Sequence, residues 1–357
     1  MKGRALGSGS QVTLVITTYD RPDYLEECLA SVKHQTLTGF RLVVLDNASA
    51  ADYSGVLDRF RELHMSYVRN ETNIGAAGNI GKAMRQYSDS KYLVVFHDDD
   101  LMHPLMLEWQ LEVLEADPEI QFVSTELAAF DDGSAPPRRI WEKVGLDIEV
   151  YEDQSALARS LVGSGGLCFG STMYRSSVLK QIRLDEERFG IIWGRPFLLD
   201  AARLGKSALI RAPLVLYRHH PGQDTNTGSL SAKNLIALTR AYRAALPSDW
   251  SRADQELFYG HSRYFLTQYG YARLTREERI GAITFVRRCI WNRVLRFRDL
   301  RHGVLEDLMR EDGRRTLPAA IETARAIKRR LSPRRRRDAS DQPSSPSERG
   351  QARHPEK

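Results

Sequence analysis

Tyr92-Leu93-Val94-Val95-Phe96 is apolar without a break and runs straight into His97-Asp98-Asp99-Asp100. A strand without polar alternation is buried on both faces, which means a parallel strand covered by helices on each side. The chain must therefore supply an open α/β sheet around it. Such sheets build their sites at the carboxyl ends of their strands. Three carboxylates at that edge repel one another unless a cation or protons neutralise them. Hard oxygen ligands suit Mg²⁺ or Mn²⁺, which also bind phosphate oxygens. Asp98, Asp99 and Asp100 thus point to a metal-bridged diphosphate. The same triplet also suits a solvated acidic turn or a helix N-terminus, because Asp favours both.

The flanking segments alternate as such a sheet requires. Val12 to Thr17 reads as a strand, and Asp23 to Gln35 as a helix with Leu25, Cys28, Leu29 and Val32 on one stripe. Arg41 to Leu45 and Met65 to Val68 read as strands, Gly75 to Tyr87 as a helix, and Lys91 to His97 as the aspartate-ended strand. Pro104 suits the first turn of the next helix, and Gln121 to Thr125 reads as a further strand. Residues 131–150 read as irregular. Ser207 to Arg211 and Leu214 to Tyr217 read as two short strands around Pro213. After about residue 228 the pattern is helical only: Ser229 to Ala245, Arg252 to Gly270 and Arg276 to Asp299. The last has an apolar face, from Ile280 to Phe297, and a basic one with Arg287, Arg288, Arg293, Arg296 and Arg298. A core-packed helix with a solvated face explains that pattern, and a membrane-surface helix explains it too.

Charge is uneven. The chain has 52 Lys and Arg against 46 Asp and Glu, but from Arg325 onward eleven basic residues face four acidic ones. The rest of the chain is balanced, which argues against a nucleic-acid-binding body. The segment after Leu331 is poor in apolar residues and reads as disordered. Its arginines, with Lys328, Arg329 and Arg330, suit peripheral contact with an anionic membrane. Three cysteines, far apart, argue for a reducing compartment. The polar, glycine-rich start does not read as a signal peptide, and no apolar stretch is long enough for a spanning helix. The expected location is cytoplasmic, with the basic tail suited to peripheral contact at the inner membrane face. The expected division is 10–228 for the sheet domain, 229–331 for a helical region and 332–357 for the basic tail.

Further motifs fall on the edge that carries the aspartates. Strand one ends in Thr17-Thr18-Tyr19-Asp20-Arg21-Pro22, strand two in Asp46-Asn47-Ala48-Ser49, and a turn reads Asn73-Ile74-Gly75 with Asn79 just after. Each alone is ordinary βα-turn chemistry. In this order, with Gln35-Thr36 and the Asp triplet, they resemble the family 2 glycosyltransferases. That resemblance covers about residues 10–226. It implies a GT-A fold, a Rossmann-like, mostly parallel sheet flanked by helices, here with a C-terminal all-helical extension. It implies that Thr18, Tyr19 and Asp46 hold the nucleotide, with Asp20, Arg21, Asn73, Gly75 and Asn79 on the same donor edge. It implies that Asp98, Asp99 and Asp100 hold Mn²⁺ or Mg²⁺ and the donor diphosphate. The register within the triplet stays open between Asp98 with Asp100 and Asp99 with Asp100.

Gly163-Ser164-Gly165-Gly166 and Gly170 to Arg175 resemble the segment that approaches donor sugar and acceptor. Leu214 to His220 resembles a late family motif, in which His220 fits a histidine that reaches metal or diphosphate. The activity implied is inverting transfer from a nucleotide-diphospho-sugar, UDP-linked in preference, to a hydroxyl of a glycan or lipid-linked acceptor. Such transfer serves surface-polysaccharide assembly. One departure stands out: Gly194 falls where the family places its general base. Asp200 and His220 are the replacement candidates, and Asp200 qualifies only if its helix begins after Pro196. A non-catalytic sugar-nucleotide-binding relative and a nucleotidyltransferase are the alternatives.

Overall fold

The computed structural model describes residues 10–134, 145–163, 167–223, 230–266 and 288–296. The first half winds as the apolar runs require. Val12–Thr18 (β1), Arg41–Asp46 (β2), Ser66–Arg69 (β3) and Tyr92–His97 (β4) pair in parallel in the order β3-β2-β1-β4. Pro22–Lys33 (α1), Ser54–Arg59 (α2) and Ala76–Gln86 (α3) connect them. The chain leaves β1 toward β2 on one side and returns through β4 on the other. That reversal opens a crevice at the carboxyl ends of β1, β2 and β4.

The second half is mixed rather than parallel. Leu101–Met102 (β5), Met106–Ala116 (α4), Ile120–Asp131 (β6), Ile148–Tyr151 (β7), Gln154–Gly163 (α5) and Thr172–Arg175 (β8) follow. Ser176–Leu179 (α6), Glu186–Phe189 (α7), Gly194–Ala201 (α8) and Lys206–His219 (β9) complete the sheet region. β8 inserts antiparallel between β4 and β6, and β9 runs parallel to β6.

Several boundaries differ from the sequence reading. The two short strands around Pro213 are one strand of 14 residues. Its register against β6 shifts at Glu126, the partner of Pro213, so the missing proline N–H falls at a bulge. The end of the span 131–150 opens β7, a four-residue strand on β9 with Ile148 and Val150 exposed, too short and too open to show periodicity. The helix expected from Pro104 begins at Met106.

Side chains alternate between two faces. Leu14, Ile16, Val44, Val94 and Phe96 pack with Leu25, Leu29, Leu107 and Leu111. Val15, Val43, Leu93 and Val95 belong to the opposite cluster, which continues into Leu235, Leu238, Tyr242 and Phe258. Those four lie on helices Ala232–Ala245 and Arg252–Tyr264, each opened by a capping box, Ser231 with Asn234 and Ser251 with Asp254. Of the expected helix 276–299, residues 288–296 are described. They are helical through Trp291 and then turn, with Arg293 at φ +55°. The basic tail lies outside the described residues. Among the described residues no helix is long and apolar enough to cross a membrane.

Candidate active site

The three aspartates follow β4 directly and are buried. The Thr18 hydroxyl, at the end of β1, donates to Asp98 Oδ2 at 2.6 Å. Burial first, and the Asp99 carboxylate second, push the Asp98 carboxyl up to about 7. The same two causes raise Asp100 well above the usual carboxylate range. Asp100 Oδ1 accepts the Arg218 amide at 3.0 Å. Asp99 is the most open of the three side chains. It accepts from Arg21 Nη1 at 3.0 Å and bonds His220 Nε2 at 2.9 Å through Oδ2. Arg21 Nη1 also stands 3.6 Å from Asp98 Oδ1, so one guanidinium serves both carboxylates. Its Nη2 donates to the Gly222 carbonyl at 2.7 Å.

Arg218 fixes this group from behind. Its guanidinium donates through Nε to the Asp99 carbonyl at 2.9 Å, and to Asp132 at 3.1 Å and Glu27. It lies between the rings of Tyr24 and Phe130, 4.8 and 4.7 Å from their centres. Tyr24 packs in turn on His220, centroid to centroid 4.9 Å. Sequence reasoning singled out His220 and passed over Arg218, two residues earlier in the same motif. An arginine at the end of an apolar strand was the available signal.

The nucleotide edge is equally knit. Asp46, fully buried at the end of β2, accepts from Ser49 N at 3.0 Å and from the Ser49 hydroxyl. Its other oxygen accepts from the Tyr67 hydroxyl at 2.7 Å and faces Arg69 Nε at 3.2 Å. Burial and the Asp46 carboxylate raise the Tyr67 phenol. Tyr67 and Arg69 come from β3 and were not anticipated. Asp20 has φ +52° and Ala48 has φ +66°, both at this edge. Asp tolerates the left-handed region, whereas Ala there is strained by about 1 kcal/mol. Asp20 Oδ1 accepts the amides of Ala50 and Ala51, tying the loops after β1 and β2 together. Tyr19 beside it is 44% exposed, an uncovered ring at the crevice.

The asparagines brace the loops at this edge. Asn79 is buried, donating to the Leu45 carbonyl and accepting from Asn70, and Asn73 accepts from Asn47. Together they hold the turn to the end of β2, where Gly75 takes φ +76°. Of the glycine-rich run that starts at Gly163, residues 164–166 lie outside the described residues. Gly170 backs onto His97, where an added Cβ would meet the ring at 3.1 Å.

Asp200 is not brought to this cluster. Helix α8 begins at Gly194, before Pro196, so the condition for Asp200 to face the site is not met. Asp200 is half exposed and pairs with Arg203 at 3.9 Å. Gly194 packs against Phe169, whose Cβ would stand 3.3 Å from an added Cβ. His220 is the candidate proton acceptor that lies at the aspartates.

Among the described residues no three His, Cys, Asp or Glu side chains converge as a ready-made cation cage. Mg²⁺ and Mn²⁺ do not require one, because one or two carboxylates plus substrate phosphates suffice. Asp98 and Asp99 supply two carboxylates that already share a cation, and they fit that role.

Residues 13–183 match the model of a family described as Glycosyl transferase family 2. An uncharacterized glycosyltransferase of Methanocaldococcus jannaschii is 25% identical over 182 residues, 49% of this chain and 59% of that protein. The abequosyltransferase RfbV of Salmonella typhimurium is 26% identical over 202 residues, 55% of this chain and 57% of that protein. The match spans less than two thirds of the first curated relatives' own length, between 29% and 59%. The Staphylococcus aureus TarS 1–349 structure in complex with UDP-GlcNAc has the same fold, with TM-score 0.59 and 16% identity over 90% of this chain and 92% of that one. The Asp-ended strand, the crevice at the strand reversal and these likenesses agree: residues 13–183 are similar to the family 2 glycosyltransferases, and the fold is that of TarS.

Proposed function

We propose that the chain is a metal-dependent inverting glycosyltransferase. It takes a sugar from a nucleotide-diphospho-sugar, UDP-linked in preference, and passes it to a hydroxyl of a glycan or lipid-linked acceptor. The observation that carries this reading is the buried Asp98–Asp99 pair, sharing one cation at the strand reversal. Asp98 and Asp99 would hold Mn²⁺ or Mg²⁺, which would neutralise the donor diphosphate as it leaves. Asp100 and Arg218 keep the turn in place. Asp46, with Tyr67 and Arg69, offers a polar wall for the base and ribose, and Tyr19 an uncovered ring for stacking. Inverting transfer needs a group that takes the acceptor proton. His220 carries that part of the reading by position. Support for a UDP donor comes from the likeness to TarS, and for a saccharide product from the likeness to an abequosyltransferase.

Donor hydrolysis across common nucleotide sugars, with Mn²⁺ and with Mg²⁺, tests the reading. One donor hydrolysed in a metal-dependent way is expected. Gly194, standing where the family resemblance places the general base, favours a second reading, a non-catalytic relative that binds sugar nucleotides. Wild-type protein that binds UDP and hydrolyses no donor, while Gly194→Asp gains hydrolysis, would select that second reading.

A further inference from the structure

The side chain between Asp98 and Asp99 is itself a cation. Arg21 Nη1 lies 3.0 Å from Asp99 Oδ2 and 3.6 Å from Asp98 Oδ1. A divalent ion held by Asp98 and Asp99 would compete with the guanidinium for the same two carboxylates. Three contacts hold the guanidinium in place: the two carboxylates and the Gly222 carbonyl at 2.7 Å. Its backbone is held as well, since Arg21 N donates to the Tyr53 hydroxyl at 2.9 Å and the preceding Asp20 is locked by the loop after β2. The side chain is 27% exposed, enough to swing toward solvent without breaking the core.

We propose that Arg21 is a resident counter-cation that blocks the metal position until a nucleotide diphosphate arrives. This rests on the metal reading above. Metal entry expels the guanidinium, which costs it all three contacts. A diphosphate bound beside the metal restores them, because a planar guanidinium bonds phosphate oxygens in pairs. Bare metal therefore binds weakly, metal with diphosphate binds well, and the two ligands are coupled through one side chain. The exchange keeps the charge at the two carboxylates compensated at every stage, which two buried aspartates in contact require. Arg21 is a positioning residue in this account, acting on the metal through the carboxylates it vacates.

Electron paramagnetic resonance of Mn²⁺, on the full chain at a single pH, tests this without any turnover. The proteins are wild type, Arg21→Ala and Arg21→Gln, each with and without UDP. The glutamine variant is neutral and keeps a polar side chain with an amide donor, so it serves if the alanine variant unfolds. Without UDP, both variants should bind Mn²⁺ tighter than wild type, by roughly 5- to 150-fold, the usual size of a coupling between sites. A merely structural arginine would give the opposite change, a loss of affinity. Equal or weaker Mn²⁺ binding in both variants would overturn the role of Arg21 and leave the metal reading standing. If none of the proteins binds Mn²⁺ with or without UDP, both readings are overturned.

Discussion

Replacing Arg218 by Met should unhinge the aspartate turn more than any surface change. The guanidinium stacks on Tyr24 and Phe130 and bonds the Asp99 carbonyl at 2.9 Å, with its side chain 4% exposed. Two partly desolvated cation–π contacts contribute about 1 kcal/mol each. A charged hydrogen bond to a buried carbonyl adds about 1.5–3 kcal/mol. Glu27 and Asp132 are 51% and 39% exposed, so their carboxylates rehydrate when the arginine goes. Their contribution is therefore only about 0–1 kcal/mol each. Methionine keeps most of the packing between the rings, and the net loss should be about 4 kcal/mol, from a folding stability of about 5–15 kcal/mol. Urea unfolding of wild type, Arg218→Met and Arg218→Lys measures it. Lysine restores one point charge but cannot reach the carbonyl and both carboxylates at once, so it should recover less than half of the loss. A methionine variant within about 1 kcal/mol of wild type, or full recovery with lysine, would refute this reasoning.

Other expectations are smaller in scope. Burial lowers His261 to about 4, with Phe265 stacked on it and Tyr242 edge-on. The unfolded chain takes that proton near pH 6.5, so this contribution is complete above about pH 6.5 and is lost as pH falls toward about 4, by about 3 kcal/mol at most. Asp98, pushed up to about 7, acts in the opposite sense over that window, so the comparison with His261→Phe isolates the histidine; an identical pH dependence in the variant would refute it. Asp46→Ala should weaken uridine and UDP alike by roughly ten- to a hundredfold, the value of one or two charged hydrogen bonds, whereas Asp100→Ala should spare uridine. Calorimetry showing uridine binding unchanged in Asp46→Ala would remove Asp46 from the nucleotide edge. Asp200→Asn should leave donor turnover within a few-fold of wild type, and a loss of roughly 10²–10⁴ would reinstate Asp200 as the base.

The edge that carries the site was legible because it is local. Apolar runs end in Thr18, Asp46 and Asp98, and a buried parallel strand has no other way to present polar groups. The side chains that complete it are long-range and left no periodic trace. Tyr67 and Arg69 reach Asp46 across a strand pair, and Glu27 and Asp132 meet Arg218 from α1 and the end of β6. Asn73 and Asn79 illustrate the reverse case. Their residue type suits a ligand and a loop brace equally well, and in the structure each is engaged in bracing. Pro213 looked like a strand end because proline usually is one, and the bulge opposite it was invisible from one chain segment.

In the proposed function the aspartates bind diphosphate through a metal. Titration calorimetry of UDP into the protein, with Mn²⁺ and then with a chelator, tests it most directly. Without metal, one Arg21 guanidinium is shared between Asp98 and Asp99, and a diphosphate would bring further negative charge beside that pair. UDP affinity should collapse in chelator and return with Mn²⁺, while uridine binds equally in both. Equal UDP affinity with and without metal would contradict the account.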